Sequence, residues 1–466
     1  MKSMKIQFGE KVAYGFGDFA SSMFWKLFSA YLLYFYTDVV GITAAAVGTM
    51  FLVTRIWDTA FDPLVGIVSD RVHTRWGKFR PFILWFAVPF GIIGILTFSA
   101  PELSYQGKIT YAYITYTLMM MIYSLINVPY ASLMGVMSAD TRERTTLSTY
   151  RFVFAFAGSI LVLGTAEPLV TWFGRGTDNV VNEQQGWFYT IVCFAVLASL
   201  MFFVTFLKTR ERIKPPQERN NKLKSDFADL MNNKQWFILL GAGVATLIFN
   251  SIRDGSAIFY FKYFVAYSDR VKLPLLDVSL QYSSLYLVIG QAANIIGVLL
   301  AKPISDKIGK RNTFATAMLL AALFSMIFYT LDRDQLLLMF VLQCMISICA
   351  GSIFPLLWAM YADIADYSEW KTGRRATGLI FSSSSMSQKL GWSLGGALTG
   401  WILSAYGFEA NSIQSDYAES GLKMMMSIFP AIGAFFSFGI ILFYQLSDHK
   451  MHRINDDLQT KRTMLK

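Results

Sequence analysis

The sequence predicts an all-α membrane protein with twelve transmembrane helices in two pseudo-symmetric six-helix bundles. Three observations predict it. Of the 466 residues, 54% are hydrophobic and only 15% are charged, against about 25% charge in soluble domains. Apolar stretches of bilayer length, roughly 20 residues each, recur along the whole chain. The polar loops between them repeat in kind and order halfway along the sequence.

Taken in order, windows of about 19 residues place spans near 12–38, 44–69, 81–99, 110–138, 149–172, 186–207, 235–265, 277–301, 313–331, 335–362, 377–404 and 424–446. One set of loops holds Arg71, Arg75, Lys78, Arg80, Arg142, Arg144, Lys302, Lys307, Lys310, Arg311, Lys371, Arg374 and Arg375. The other holds little beyond Lys108, Arg175, Arg270, Lys272 and Arg333. Cytoplasmic loops collect Lys and Arg, so both termini are expected in the cytoplasm of a multi-pass inner-membrane protein. The net charge of +10 lies in these loops, which excludes nucleic acid as a partner; the lipid bilayer is the partner implied. The start, Met1-Lys2-Ser3-Met4-Lys5, lacks a signal peptide's apolar core and cleavage site, so the first span directs insertion. Cys193, Cys344 and Cys349 all fall in spans and read as core residues, without disulfides or metal.

The internal repeat lies in the basic loops. Ser69-Asp70-Arg71 leads to Trp76-Gly77-Lys78-Phe79-Arg80 between spans two and three, and Ser305-Asp306-Lys307-Ile308-Gly309-Lys310-Arg311 lies between spans eight and nine. Asp140-Thr141-Arg142-Glu143-Arg144 follows span four, and Asp366-Tyr367-Ser368-Glu369-Trp370-Lys371 with Arg374 and Arg375 follows span ten. Residues 1–207 and 235–446 are thus expected as two halves, 208–234 with Pro215-Pro216 as a cytoplasmic linker, and 447–466 as a cytoplasmic tail. Parallel halves of this kind rock around a midplane site. Charge-assisted bonds among Asp70, Arg71, Asp140, Arg144, Asp306, Arg311, Asp366, Arg374 and Arg375 would close the cytoplasmic side.

The chemistry starts at Asp58 and Asp62, in Trp57-Asp58-Thr59-Ala60-Phe61-Asp62-Pro63 within the apolar run 44–67. Spacing of i, i+4 stacks both on one helix face. A carboxylate at membrane depth costs about 3 kcal/mol or more, so such groups face a polar cavity and handle ions. Two of them in low dielectric share a cation or hold a proton; the alternative is a helix-end pair bonded to loop cations such as Arg71. Lys389, after the run Ser382-Ser383-Ser384-Ser385, needs a carboxylate or cavity water, and Asp58 or Asp62 is the natural partner. Arg151 enters span five with a fork suited to vicinal hydroxyls or a carboxylate, or else snorkels to the surface. Lys26 is deep in span one. Arg253 and Asp254, adjacent in span seven, can pair with each other. Tyr123 and Asn127 share a face beside Ser124, and Pro129 frees backbone carbonyls. Ser21 and Ser22 follow Gly15-Phe16-Gly17-Asp18. Neutral hydrogen-bonding groups among many aromatics suit a sugar.

These stretches resemble the glycoside-pentoside-hexuronide:cation symporters of the major facilitator superfamily, whose members include the melibiose permease. The motifs are Tyr14-Gly15-Phe16-Gly17, Tyr36-Thr37-Asp38-Val39-Val40-Gly41, Arg55-Ile56-Trp57-Asp58 with Asp62-Pro63, Arg75-Trp76-Gly77-Lys78, Asp363-Ile364-Ala365-Asp366-Tyr367, Arg374-Arg375-Ala376-Thr377-Gly378 and Gln388-Lys389-Leu390-Gly391. The resemblance implies the major facilitator fold, cation-site carboxylates at Asp58 and Asp62 with a hydroxyl from Ser124, a cavity lysine at Lys389 and a sugar-contacting arginine at Arg151. Two departures matter. The permease's acidic sugar ligands fall at Ser22 and Asn127 here, so its galactoside recognition should not carry over. Its cation-site asparagine falls at Phe61, which favours a proton over sodium.

The expectation is a monomeric symporter, not an enzyme, taking up a sugar, glycoside or hexuronide by alternating access with H+ or Na+ as coupling cation and no cofactor. Asp58, Asp62 and Ser124 would bind the cation. Ser22, Lys26, Tyr123, Asn127, Arg151, Ser384 and Lys389 would contact substrate. An acidic sugar would make Lys26→Gln selectively harmful; a neutral one would not. The competing readings are a proton-coupled exporter of drugs or metabolites and a lipid transporter on the same fold.

Overall fold

The computed structural model describes residues 6–138, 141–176, 181–212, 231–265, 271–273, 278–372 and 377–464. Side chains are not described at Thr59, Ala60, Pro63, Asp70, Thr141, Arg142, Arg144, Thr145 or over 372–386, nor at a few further positions. The expected gate residues Asp70, Asp140, Arg144, Arg374 and Arg375, and the substrate contact Ser384, therefore lie outside what is described.

The described residues are almost wholly helical. Helix α1 spans Phe8–Ala30 and is followed by a π-helical turn, Phe35–Val39. Then come α2 (Ala44–Arg71), α3 (Arg80–Thr97), α4 (Tyr105–Met137), α5 (Thr141–Gly174) and α6 (Glu183–Lys208). The second run is α7 (Lys234–Phe259) with a π-helical turn Tyr260–Val265, α8 (Tyr282–Ile308), α9 (Lys310–Phe328), α10 (Leu336–Thr372) and α11 (Thr377–Ala405). The last span is broken at Ser427 into α12 (Asp416–Met426) and α13 (Ile428–Ile441). Antiparallel strands β1 (Val271–Leu273) and β2 (Val278–Leu280) precede α8, pairing Val271 with Leu280. β2 occupies the start of the span expected at 277–301, whose helix begins only at Tyr282.

Nine of the described helical segments are long and apolar enough to cross a membrane by length and composition. The helices at Phe8–Ala30, Ala44–Arg71 and Thr377–Ala405 are not among them. They are the ones that carry Asp18 and Lys26, then Arg55, Asp58 and Asp62, then Lys389.

Packing divides the chain into two compact units, one of residues 1–217, 261–288 and 400–415, the other of 218–260, 289–399 and 416–466. Within the first, α1 packs on α6, α3 on α6 and α3 on α4. Within the second, α7 packs on α13, α9 on α13 and α9 on α10. These are equivalent pairs under a six-helix repeat, so the repeat read in the loops recurs in the packing.

The repeat extends to the loops themselves. Gly77 has φ +115° and Gly309 φ +85°, a region that favours glycine. Each stands just before a helix whose first N–H groups are held by a carboxylate from the segment after the last helix of its own half. Glu211 accepts from Lys78 N, Phe79 N and Arg80 N at 2.8, 2.8 and 3.0 Å. Asp448 accepts from Lys310 N at 3.0 Å. A Cβ on Gly77 would lie 2.5 Å from the Glu211 carboxylate, and one on Gly309 2.8 Å from that of Asp448. An anion suits a helix N-terminus on both charge and unpaired donors. Arg80 and Arg311 in turn donate to the carbonyls of Phe206 and Leu442, at the ends of the same closing helices, both at 2.6 Å. Glu211→Ala strips three orphan donors of their acceptor and is expected to cost about 1–2 kcal/mol, read as a lowered Tm in detergent; Glu211→Gln should recover part of it.

The tail forms α14 (Asp448–Met464), packed on α10 with Met451, Ile454 and Leu458 buried. One expectation about the surface needs correction. Cys193 is exposed on α6 rather than in the core. Lipid is as apolar as a protein interior, so hydropathy alone cannot separate a lipid-facing residue from a core one.

Candidate functional site

Asp58 on α2 is fully buried, with 0% of its surface exposed. Ser124 on α4 donates its hydroxyl to Asp58 Oδ1 at 2.8 Å. Arg55, one helical turn earlier, donates to Oδ2 at 3.3 Å. The α2–α4 packing brings the first two together; helix periodicity places the third. Arg55 is itself buried and lies over the Trp25 ring of α1, 4.5 Å from its centroid. Trp25 in turn meets Tyr123 at 5.7 Å between ring centroids. Asp62 lies one turn further along α2 and is half-buried, as is Phe61 beside it.

A second ion pair stands on the α1–α5 contact. Arg151 donates through Nε to Asp18 Oδ2 and through Nη2 to Oδ1, the latter at 3.3 Å. Its guanidinium lies 5.0 Å over the Tyr130 ring. Tyr130 stacks on Tyr14 at 4.8 Å and donates its hydroxyl to the Tyr14 carbonyl at 2.6 Å. Arg151 is therefore held inward by Asp18, with no need to snorkel. Ser21 and Lys26 are buried, and Ser22 is half-buried. Asn127 is half-buried and donates to the Tyr123 carbonyl at 3.0 Å, within its own helix. Lys389 is half-buried on α11.

At the other end of α1 the two π-helical turns meet. Lys262 donates to Asp38 Oδ1 at 2.8 Å, to the Tyr34 hydroxyl at 3.0 Å and to Asn411 Oδ1 at 3.0 Å. Tyr263 also donates to Asp38, and Tyr34 donates to Glu183 at 3.0 Å. Nearby, Ser283 donates to the buried Glu167 at 2.9 Å. Sequence reasoning missed this cluster, as well as the roles of Arg55 and Asp18. Signals existed: Asp38 and Arg55 stood inside motifs used for the resemblance, and Asp18, Ser22 and Trp25 share one α1 face at i, i+4, i+7.

Of the expected gate, Arg71 and Asp306 are exposed and Asp366 is half-buried. Arg311 serves the Leu442 carbonyl. The described ion pair at this end of the second unit joins Lys310 to Asp363, with Asp448 at 3.6 Å. Arg253 is buried, bonded to Gln343 at 2.8 Å and to the Met426 carbonyl left open by the break before α13.

A protein family described as MFS/sugar transport protein matches residues 13–448. The putative glycoside/cation symporter YagG of Escherichia coli (strain K12) is 33% identical over 450 residues, covering 96% of this chain and 94% of that protein. The isoprimeverose transporter of Lactiplantibacillus pentosus is 35% identical over 443 residues, covering 95% and 89%. The crystal structure of a D-xylose-proton symporter shares the fold, with a TM-score of 0.64 at 14% identity over 92% of this chain and 97% of that one. With buried carboxylates on membrane helices and relatives of this kind, the chain is a membrane transporter rather than an enzyme, and it belongs to the sugar-transport family of the major facilitator superfamily that includes glycoside/cation symporters.

Proposed function

We propose that this transporter imports a sugar or glycoside together with a cation, a proton rather than sodium, by alternating access. The observation that carries the reading is the burial of Asp58 between a hydroxyl and a guanidinium. A carboxylate in that setting is held neutral as a pair by Arg55. One proton on Asp58 replaces that pair by a neutral acid and a freed arginine, a change in charge distribution that a conformational equilibrium can feel. A sodium ion needs several oxygen ligands at once; one Asp58 oxygen faces Arg55, and Phe61 offers none.

In this reading Asp58, Asp62 and Ser124 form the cation site. Ser22, Lys26, Tyr123, Asn127, Arg151, Ser384 and Lys389 line the substrate path, with Lys389 linking the carboxylates to the sugar. Residues 1–207 and 235–446 move as two bundles joined by the 208–234 linker, in a monomer with both termini cytoplasmic. Purified protein in proteoliposomes tests it. Glycoside uptake driven by an inward proton gradient without sodium is the expected result. Uptake driven by sodium alone would defeat the proton assignment, and proton-driven efflux would make the protein an exporter.

A further inference from the structure

We infer that Asp18 is a specificity-determining residue: by occupying the guanidinium of Arg151 it makes the sugar-facing arginine part of a neutral pair, and so excludes anionic solutes. The inference rests on the sugar-importer reading above and names the class of sugar that importer takes.

The pair is built, not incidental. Two guanidinium N–H groups converge on the two oxygens of one carboxylate, a fork geometry that fixes both side chains. The Asp18 and Arg151 side chains are only 14% and 25% exposed. Beneath the guanidinium, the stacked Tyr130 and Tyr14 rings set its plane. Trp25, on the same α1 face as Asp18, lies under the Arg55 guanidinium that pairs with Asp58.

The chemistry follows from that arrangement. An anionic sugar that sought Arg151 would have to displace Asp18, leaving a partly buried carboxylate without its cation, a strongly unfavourable exchange. Approaching the intact pair instead brings a second negative charge beside Asp18, the repulsive element that discrimination needs. A neutral sugar meets neither cost. Its hydroxyls can donate to the Asp18 lone pairs that Arg151 leaves open and accept from the remaining guanidinium N–H groups. The substrate class is therefore a neutral glycoside.

Uptake of matched pairs decides it: methyl glucoside against methyl glucuronide, and methyl galactoside against methyl galacturonide. Each pair exchanges CH2OH for a carboxylate and nothing else. The wild type is expected to take up neutral members and exclude the uronides. Asp18→Asn keeps the shape and frees the charge of Arg151, so the uronide-to-neutral uptake ratio should rise by about tenfold or more. Adding Arg151→Gln should erase that rise, and Asp18→Glu should keep the neutral preference; a merely structural Asp18 would give neither. If Asp18→Asn fails to insert, the pairwise-neutral Asp18→Asn, Arg151→Gln protein restores the charge balance and is expected to prefer neutral sugars. Uronide uptake by the wild type, or an unchanged ratio in folded Asp18→Asn, would overturn the assignment of Asp18 alone. A wild type that moves neither series overturns the sugar reading and this inference with it.

Discussion

Asp58→Asn is expected to abolish uphill accumulation, bringing the internal-to-external sugar ratio to unity. The amide keeps the shape and the Ser124 contact but can take up no proton. It also leaves Arg55 buried without its counter-charge. Removing one partner of a buried pair costs about 3–5 kcal/mol, so the variant is also expected to melt at lower temperature. The second effect must be separated from the first. Arg55→Gln combined with Asp58→Asn removes both charges, and exchange of a buried pair for neutral groups is near neutral in stability. That double variant should regain most of the lost Tm and none of the accumulation. Accumulation that returned with stability would show Asp58 to be a structural residue. Tm in detergent and steady-state sugar ratio, measured on the same three proteins, check this.

Lys262→Ala is expected to have the next largest effect. The Asp38 side chain is fully buried, while Lys262 keeps 32% of its surface, so the cost of leaving Asp38 without its cation is discounted to about 2 kcal/mol. Tyr34 and Asn411 lose the same donor. Alternating access needs states of similar energy, and about 2 kcal/mol shifts such a balance roughly thirtyfold. The initial rate of uptake should therefore change by an order of magnitude, with a smaller change in the apparent KM. A double-mutant cycle with Asp38→Asn should return a coupling energy above about 1 kcal/mol. Additive effects would mean that the two side chains act independently.

Much of the architecture was legible because the bilayer imposes it. Backbone groups without water must be satisfied within each segment, so the apolar runs read directly as helices. The repeated loops were legible because a glycine with positive φ leaves a short, fixed signature, Trp76-Gly77-Lys78 and Ile308-Gly309-Lys310; the capping carboxylates Glu211 and Asp448 lie 131 or more residues away and were not legible. The Asp58–Ser124 contact was legible only through the resemblance, since no spacing rule joins residues 66 apart. Arg55 was locally legible: i, i+3 from Asp58 on a helix suffices, but its charge was read as part of a motif rather than as a counter-ion. Asp18 was hidden by its partner, which lies 133 residues away; polar residues on one face of α1 were the available clue. The break at Ser427 had a local signal that went unread: Pro430 offers the Met426 carbonyl no N–H. Arg253 donates to that carbonyl instead.

In the proposed mechanism Asp58 takes up a proton and delivers it with the sugar. The most direct measurement of this is the pH of a lightly buffered suspension of cells expressing the protein, on addition of a transported glycoside. Prompt alkalinisation of the medium is expected, proportional to sugar entry, independent of sodium and absent in Asp58→Asn. Sugar entry with no alkalinisation, or the same alkalinisation in Asp58→Asn, would contradict it.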